Sequence, residues 1–279
     1  MTQIRLSLTA LLLLLFSAAL PAEDETAATS QSAANAATPA TNQTEPQNSS
    51  AKSASDSSPE KLKLHPMEAT YKATLEKGIP FDGTAYRTLK PNEDGTWFYA
   101  FRVRSWVADI NETLTFRWDG HQVIPQEYNY ELTGWLIRDR TANLQFDWDK
   151  KRVRNDVKGD PWFMDIHEGV LDKLGFQLQL REDLRAGKKH MVYQIADGGK
   201  LKEYEFAVIG EEELDTREHG KVNTIVVEKV REPYKKRKTH LWLAPDWNYL
   251  LVRMLQIEKD GTRYEIYLDE AKFPDRVIK

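Results

Sequence analysis

Asp160, Asp165, His167 and Glu168 crowd one stretch of the chain. Four such groups could hold a divalent metal or share acid and base roles. The same residues also describe a helix start after Pro161, because Asp165 and Glu168 have capping-box spacing, and this simpler account is preferred. Asp147 and Asp149 form another carboxylate pair. In an alternating strand they share an outward face, where solvation explains them without glycosidase chemistry. His65, His121, His167, His190, His219 and His240 are scattered, with no H-x-H or H-E-x-x-H spacing. The chain has no cysteine, which excludes disulfides, thiolate metal sites, a cysteine nucleophile and a lipid-modified cysteine. No G-x-S-x-G, phosphate loop or dinucleotide fingerprint occurs. These residues predict a protein that is not an enzyme, with no catalytic group, no metal and no cofactor.

Binding chemistry is better represented. Lys235-Lys236-Arg237-Lys238 reads as a solvated turn, or, more sharply, as a contact for anionic lipid head groups or phosphorylated glycan. The net charge of −4 speaks against a general nucleic-acid partner. The chain carries 8 tryptophans, many for one domain. Those on alternating strands, Trp97, Trp118 and Trp148, read as core, with the sharper alternative that some line a mouth and meet an acyl chain or a sugar ring. The candidate ligand-binding residues are Trp97, Tyr99, Phe101, Phe176, Leu180 and Leu184.

One helix must position half of these. Asp165 to Gly187 is the one good helical stretch, starting at the Asp165/Glu168 box and ending at Gly187 with Lys188 and Lys189 behind it. Val170, Leu171, Leu174 and Leu178 group on one side, and Phe176, Leu180 and Leu184 form a row beside them. A helix so apolar belongs in a concavity. The first row is expected to carry stability and the second to face a ligand mouth. The alternative is a strand, because Leu174, Phe176, Leu178 and Leu180 also alternate with period two.

The remaining folded chain reads as about ten or eleven short strands. Ala69, Tyr71, Ala73 and Leu75 share one face; Trp97, Tyr99, Phe101 and Val103 share another. Asp119-Gly120 has a type I′ hairpin signature. A two-residue Gly198-Gly199 loop places Tyr193 opposite Tyr204 and Met191 opposite Phe206. A two-residue Asp260-Gly261 loop would pair Ile257 with Tyr264 and Leu255 with Ile266. Lys151 to Lys158 is expected to be an edge strand or a solvated flap. The fold class is therefore all-β dominated: a strongly curved antiparallel sheet, half-barrel or open barrel, with one main α-helix packed in its concavity.

Residues 1–22 read as a secretory signal, with Arg5 followed by the apolar run Leu6 to Leu20. Residues 23–61 are built from Ala, Ser, Thr, Asn, Gln and Pro and are expected to be a disordered linker. Such a chain spans roughly 35 Å end to end. That leaves residues 62–279 as a single curved β domain of about 215 residues, enough for one well-buried core. After signal cleavage no stretch is long enough to be a transmembrane segment.

Several short blocks carry a resemblance: Gly78-Ile79-Pro80, Phe146-Asp147-Trp148, Gly169 to Asp172, Gln179-Leu180-Arg181, Tyr204 to Phe206 with Gly210, Leu241 to Pro245 and Lys259-Asp260-Gly261. In this order, over about residues 65–275, the chain resembles domain-of-unknown-function family 3108, exported proteins of Gram-negative bacteria. It departs from the family pattern at Leu251, where a proline is expected two residues after Tyr249. The resemblance implies a periplasmic or envelope location and a curved sheet similar to the outer-membrane lipoprotein carrier fold. It brings no established activity and no catalytic residues. The expected function is that of a non-catalytic envelope protein binding an apolar or amphipathic molecule, a lipid or lipid-linked glycan, in a half-barrel. The alternative is an adaptor that binds another envelope protein through a fully packed domain.

Overall fold

A computed structural model of the protein describes residues 61–76, 82–105, 108–134, 138–157, 160–216, 218–231 and 237–279. The expected signal segment, all but the last residue of the linker, Gly78-Ile79-Pro80 and Lys235-Lys236 lie outside the described residues.

Period-two alternation decides the architecture. In β1 (Met67–Glu76), Ala69, Tyr71 and Ala73 are buried and the residues between them are not, so one face of the strand needs a core. β2 (Asp82–Pro91), β3 (Trp97–Arg104), β4 (Ala108–Trp118) and β5 (Val123–Gly134) follow as an antiparallel meander. β6 (Arg140–Asp147), β7 (Arg152–Val157) and β8 (Asp160–Asp165) extend it. A second meander runs through β9 (His190–Asp197), β10 (Lys200–Thr216), β11 (Gly220–Val230), β12 (Lys238–Ala244), β13 (Leu250–Ile257) and β14 (Arg263–Lys272), with β15 (Val277–Ile278) paired to β14. The pairing of β1 with β14 joins the two meanders into one 15-stranded antiparallel sheet. Its outer strands, β8 and β9, share no ladder, so the sheet is not closed into a barrel.

Residues 166–189 connect these two edges, and they carry α1 (Gly175–Arg185). The helix is shorter than expected. Asp165 ends β8 instead of capping a helix, and Val170 and Leu171 lie in an extended strap. Gly169 adopts a positive φ of 85°, which stops helix propagation there. Leu171 instead forms a parallel bridge with Ile195 of β9. The cap comes from Asp172, whose Oδ1 accepts from the amides of Leu174 and Gly175 at 2.8 and 2.9 Å. The C-terminal end agrees with the sequence reading: Gly187 donates to the Leu184 carbonyl and Lys188 to that of Asp183, both at 2.9 Å.

Other expectations meet their limits at turns and edges. The Gly198-Gly199 register holds, with Tyr193 opposite Tyr204 and Met191 opposite Phe206. The last hairpin is shifted by one residue: Ile257 faces Arg263, and Met254 faces Ile266. The loop is longer than two residues. Glu258 N donates to the Thr262 carbonyl at 2.8 Å, and Gly261 (φ 82°) takes the left-handed position of a three-residue, bulged turn. Asp119-Gly120 likewise belongs to a longer loop between Trp118 and its partner Val123, with Asp119 Oδ1 accepting from the amides of His121 and Gln122. β7 is not an edge strand, because β8 pairs outside it.

Candidate functional site

Because the sheet curves around α1, the helix has almost no solvent face. Gln179, Arg181, Glu182 and Asp183 are buried along with its leucines. Phe176, Leu180 and Leu184 are 0%, 3% and 2% exposed, no more than Leu174 and Leu178 at 0% and 1%. The expectation of one stabilising row and one mouth-facing row is corrected: both rows are core. The Phe176 ring lies 5.7 Å from that of Phe206 and 5.3 Å, edge-on, from that of Tyr204.

The six ligand candidates divide accordingly. Tyr99 and Leu180 line a small cavity, Phe101, Phe176 and Leu184 are buried in the core, and Trp97 is half-buried at its margin. The other two tryptophans on alternating strands are also packed on the core. Trp118 donates its indole N–H to the Leu62 carbonyl at 2.7 Å, and Trp148 to that of Pro125 at 2.6 Å.

The cavity lies where α1 meets β1–β3 on one side and β12–β13 on the other. Leu180, Leu241, Leu243, Leu250 and Leu251 form its apolar walls, beside Tyr249. Asn248 and Tyr249 turn the chain here with positive φ values of 54° and 55°. Its volume is about 30 Å³. That is room for roughly one or two waters and not for an acyl chain.

Its polar side was missed by the sequence reading. The alternation of β2 puts Arg87 on the same inward face as Ala85 and Leu89. Its guanidinium sits 4.9 Å from the centroid of the Phe101 ring. Nη1 donates to the Tyr99 hydroxyl at 2.6 Å and Nη2 to Gln177 Oε1 at 2.8 Å. Arg181, one helical turn beyond Gln177, donates from Nε to the Asn248 carbonyl at 2.8 Å and from Nη1 to Met67 Sδ at 3.2 Å. Three buried polar atoms on these lining residues have no hydrogen-bond partner among the described residues: Arg87 Nε, Arg181 Nη2 and the Tyr71 hydroxyl. Burial holds Tyr71 well above the usual phenol range, so its hydroxyl keeps its proton and is a donor.

A second buried polar cluster lies between β4, β5 and the strap. The Tyr128 hydroxyl donates to Glu112 Oε2 at 3.0 Å. Burial lifts Glu112 to about 7 and Asp172 to about 6. Lys173 is engaged with Asp197, Nζ to Oδ1 at 2.6 Å.

Asp165, His167 and Glu168 do not assemble into a site, and the Asp160 side chain lies outside the described residues. Asp165 points outward beside Arg152, and His167 Nδ1 meets the Glu168 carbonyl at 2.9 Å. Among the described residues no three histidine, aspartate or glutamate side chains gather into a metal-holding group. Of the basic run, Arg237 pairs with Glu258 at 2.8 Å. Among the described residues no helix is long and apolar enough to cross a membrane.

A family model described as a protein of unknown function, DUF3108, matches residues 69–269. The chain belongs to the DUF3108 family. No curated protein matches it. Among solved structures, this DUF3108 chain is similar to a β-barrel-like protein of domain of unknown function DUF1849 from Brucella abortus, at 12% identity and a TM-score of 0.54, over 76% of this chain and 99% of that one. The likeness shows a shared fold. A domain assigned to outer membrane lipoprotein sorting from Vibrio parahaemolyticus and a DUF1329 family protein from Desulfovibrio piger each match at 9% identity, over 75% of the DUF3108 chain and 86% of theirs. Their TM-scores of 0.22 and 0.24 are too low to argue from.

Proposed function

We propose that this protein is a non-catalytic binding module of the Gram-negative envelope that holds one end of an apolar or amphipathic molecule in the slot beside α1. The observation that carries the reading is the slot itself: a leucine-walled gap beside the packed helix. Its size means that the ligand inserts an end and leaves its body outside. The polar side chains around it are arginine, tyrosine and glutamine, none of them a base or nucleophile at neutral pH, which supports binding without catalysis. The apolar run Leu6 to Leu20 behind Arg5 supports export to the periplasm.

Titration of the purified protein with a fluorescent fatty acid tests the reading. Saturable binding that Leu180→Trp abolishes, without loss of the folded state, is the expected result. A second reading, an adaptor for another envelope protein, is favoured by the burial of α1 on every side. Unsaturable, weak probe binding would leave that adaptor reading in front.

A further inference from the structure

The slot ends on positive charge that the carboxylates among the described residues only partly neutralise. Arg87 and Arg181 are 6% and 5% exposed. Arg87 makes no ion pair among the described residues; its two bonds go to a phenol and an amide. Arg181 has Glu182 Oε1 at 3.6 Å from its Nε, but Oε2 of the same carboxylate is bonded to Arg185 at 2.7 Å. One carboxylate thus serves two guanidinium groups, and a third guanidinium has none. Glu112 acts on Arg87 only at longer range. Withdrawing guanidinium groups from water without a counter-charge is costly, and donors left unbonded add to the cost. Here the costs fall on residues that line one cavity, together with a protonated Tyr71 hydroxyl.

We infer that this is an anion-binding site: Arg87, Arg181 and Tyr71 receive a carboxylate-sized oxyanion, carried at the end of a ligand whose alkyl body stays outside the cavity. The inference rests on the binding reading above and specifies the ligand's chemistry. The cavity has room for about two oxygens, and Arg87 Nε, Arg181 Nη2 and Tyr71 Oη are three unpaired donors on the residues that line it. A guanidinium fork is the side chain best matched to such a group.

The test compares dodecanoate with dodecanol, the same chain with and without the charge, by calorimetric titration of the full mature protein near neutral pH. Acetate and inorganic phosphate are titrated alongside. Dodecanoate is expected to bind saturably and at least tenfold more tightly than dodecanol. Arg87→Gln should lower the acid-to-alcohol affinity ratio by at least tenfold. Equal binding of acid and alcohol to the wild type would overturn the anion site and leave the apolar slot standing. Binding of acetate or phosphate, with no gain from the alkyl chain, would support the anion site and overturn the amphipathic reading. No binding of any of the four would overturn both. Should Arg87→Gln fail to fold, the acid-to-alcohol ratio of the wild type still decides. A rise in its melting temperature with dodecanoate but not with dodecanol is a second, independent readout.

Discussion

Replacing Glu112 with glutamine should stabilise the protein above neutral pH and leave it nearly unchanged in acid. Glu112 is 2% exposed on the inner face of β4, and its contact is the Tyr128 hydroxyl at 3.0 Å. Loss of solvation is the leading cause that lifts its carboxyl from 4.5 to about 7; Lys173, the Tyr128 bond and Arg87 pull the other way and lose. The folded state therefore holds a proton that the unfolded state has already released. Stability tied to this group is fully present below about pH 4.5, declines as the pH climbs to about 7, and stays lost above it. At 1.36 kcal/mol per pH unit, the lift amounts to on the order of 3 kcal/mol. Glutamine keeps an oxygen for Tyr128 and has nothing to ionise. Urea unfolding followed by tryptophan fluorescence, at about pH 4 and about pH 8, gives the difference between the two proteins, in which groups common to both cancel. The variant should match the wild type in acid and lead it by up to about 3 kcal/mol in base. Asp172, which burial lifts to about 6 and which itself raises Glu112, acts in the same direction over a lower window. Parallel curves, or a variant weaker at both pH values by the same amount, would refute the reasoning, because Glu112 would then be ionised and paired in the folded protein.

Three further outcomes are expected. Leu174→Ala and Phe176→Ala should destabilise alike, each by roughly 2–5 kcal/mol, since both side chains are fully buried; a much smaller loss for Phe176 in urea would restore the mouth-facing row. Gly261→Val should cost on the order of 1–3 kcal/mol, because φ is 82° there and a β-branched residue resists that region; unchanged unfolding would mean that the turn rearranges freely. Gly199→Ala combines a φ of 77° with a new methyl driven into the Trp162 indole of β8, so amide exchange should quicken in β8 and β9 together; unaltered exchange would show that the Trp162–Gly199 contact does not hold the two edges near each other.

The strands were legible because alternation is a strong signal wherever one face is buried, as in Ala69, Tyr71 and Ala73. The Gly198-Gly199 register was legible because both glycines supply the positive φ that a two-residue turn requires. Asp260-Gly261 misled because the same dipeptide also serves a three-residue bulged turn, and one extra loop residue shifts every partner. The helix start misled because two caps compete: Asp165 with Glu168, and Asp172 with its own downstream amides. Gly169 and the Leu171–Ile195 bridge, a contact distant in sequence, decide for the second. The arginines of the slot were half-legible. Arg87 alternates with Ala85 and Leu89 and could have been read as an inward cation. Arg181 had no such sign, because its burial comes from a sheet wrapping the helix on all sides.

The pairing of β1 with β14 has a consequence for how the protein is made. Tyr71 lies opposite Leu268, so a central ladder of the sheet joins segments about 200 residues apart. Each meander needs only neighbouring strands and can assemble as its own part of the chain is synthesised. The join between them has to wait for β14, which follows β1 to β13 in the chain. Until then β1 and β13 are bare edges, able to pair with whatever strand arrives first. A chain interrupted before Arg263 would keep both meanders and lose their union. Such a product would present the open strand edges and uncovered apolar faces that chaperones and proteases recognise, so arrival of β14 is the event that takes the newborn chain out of their reach.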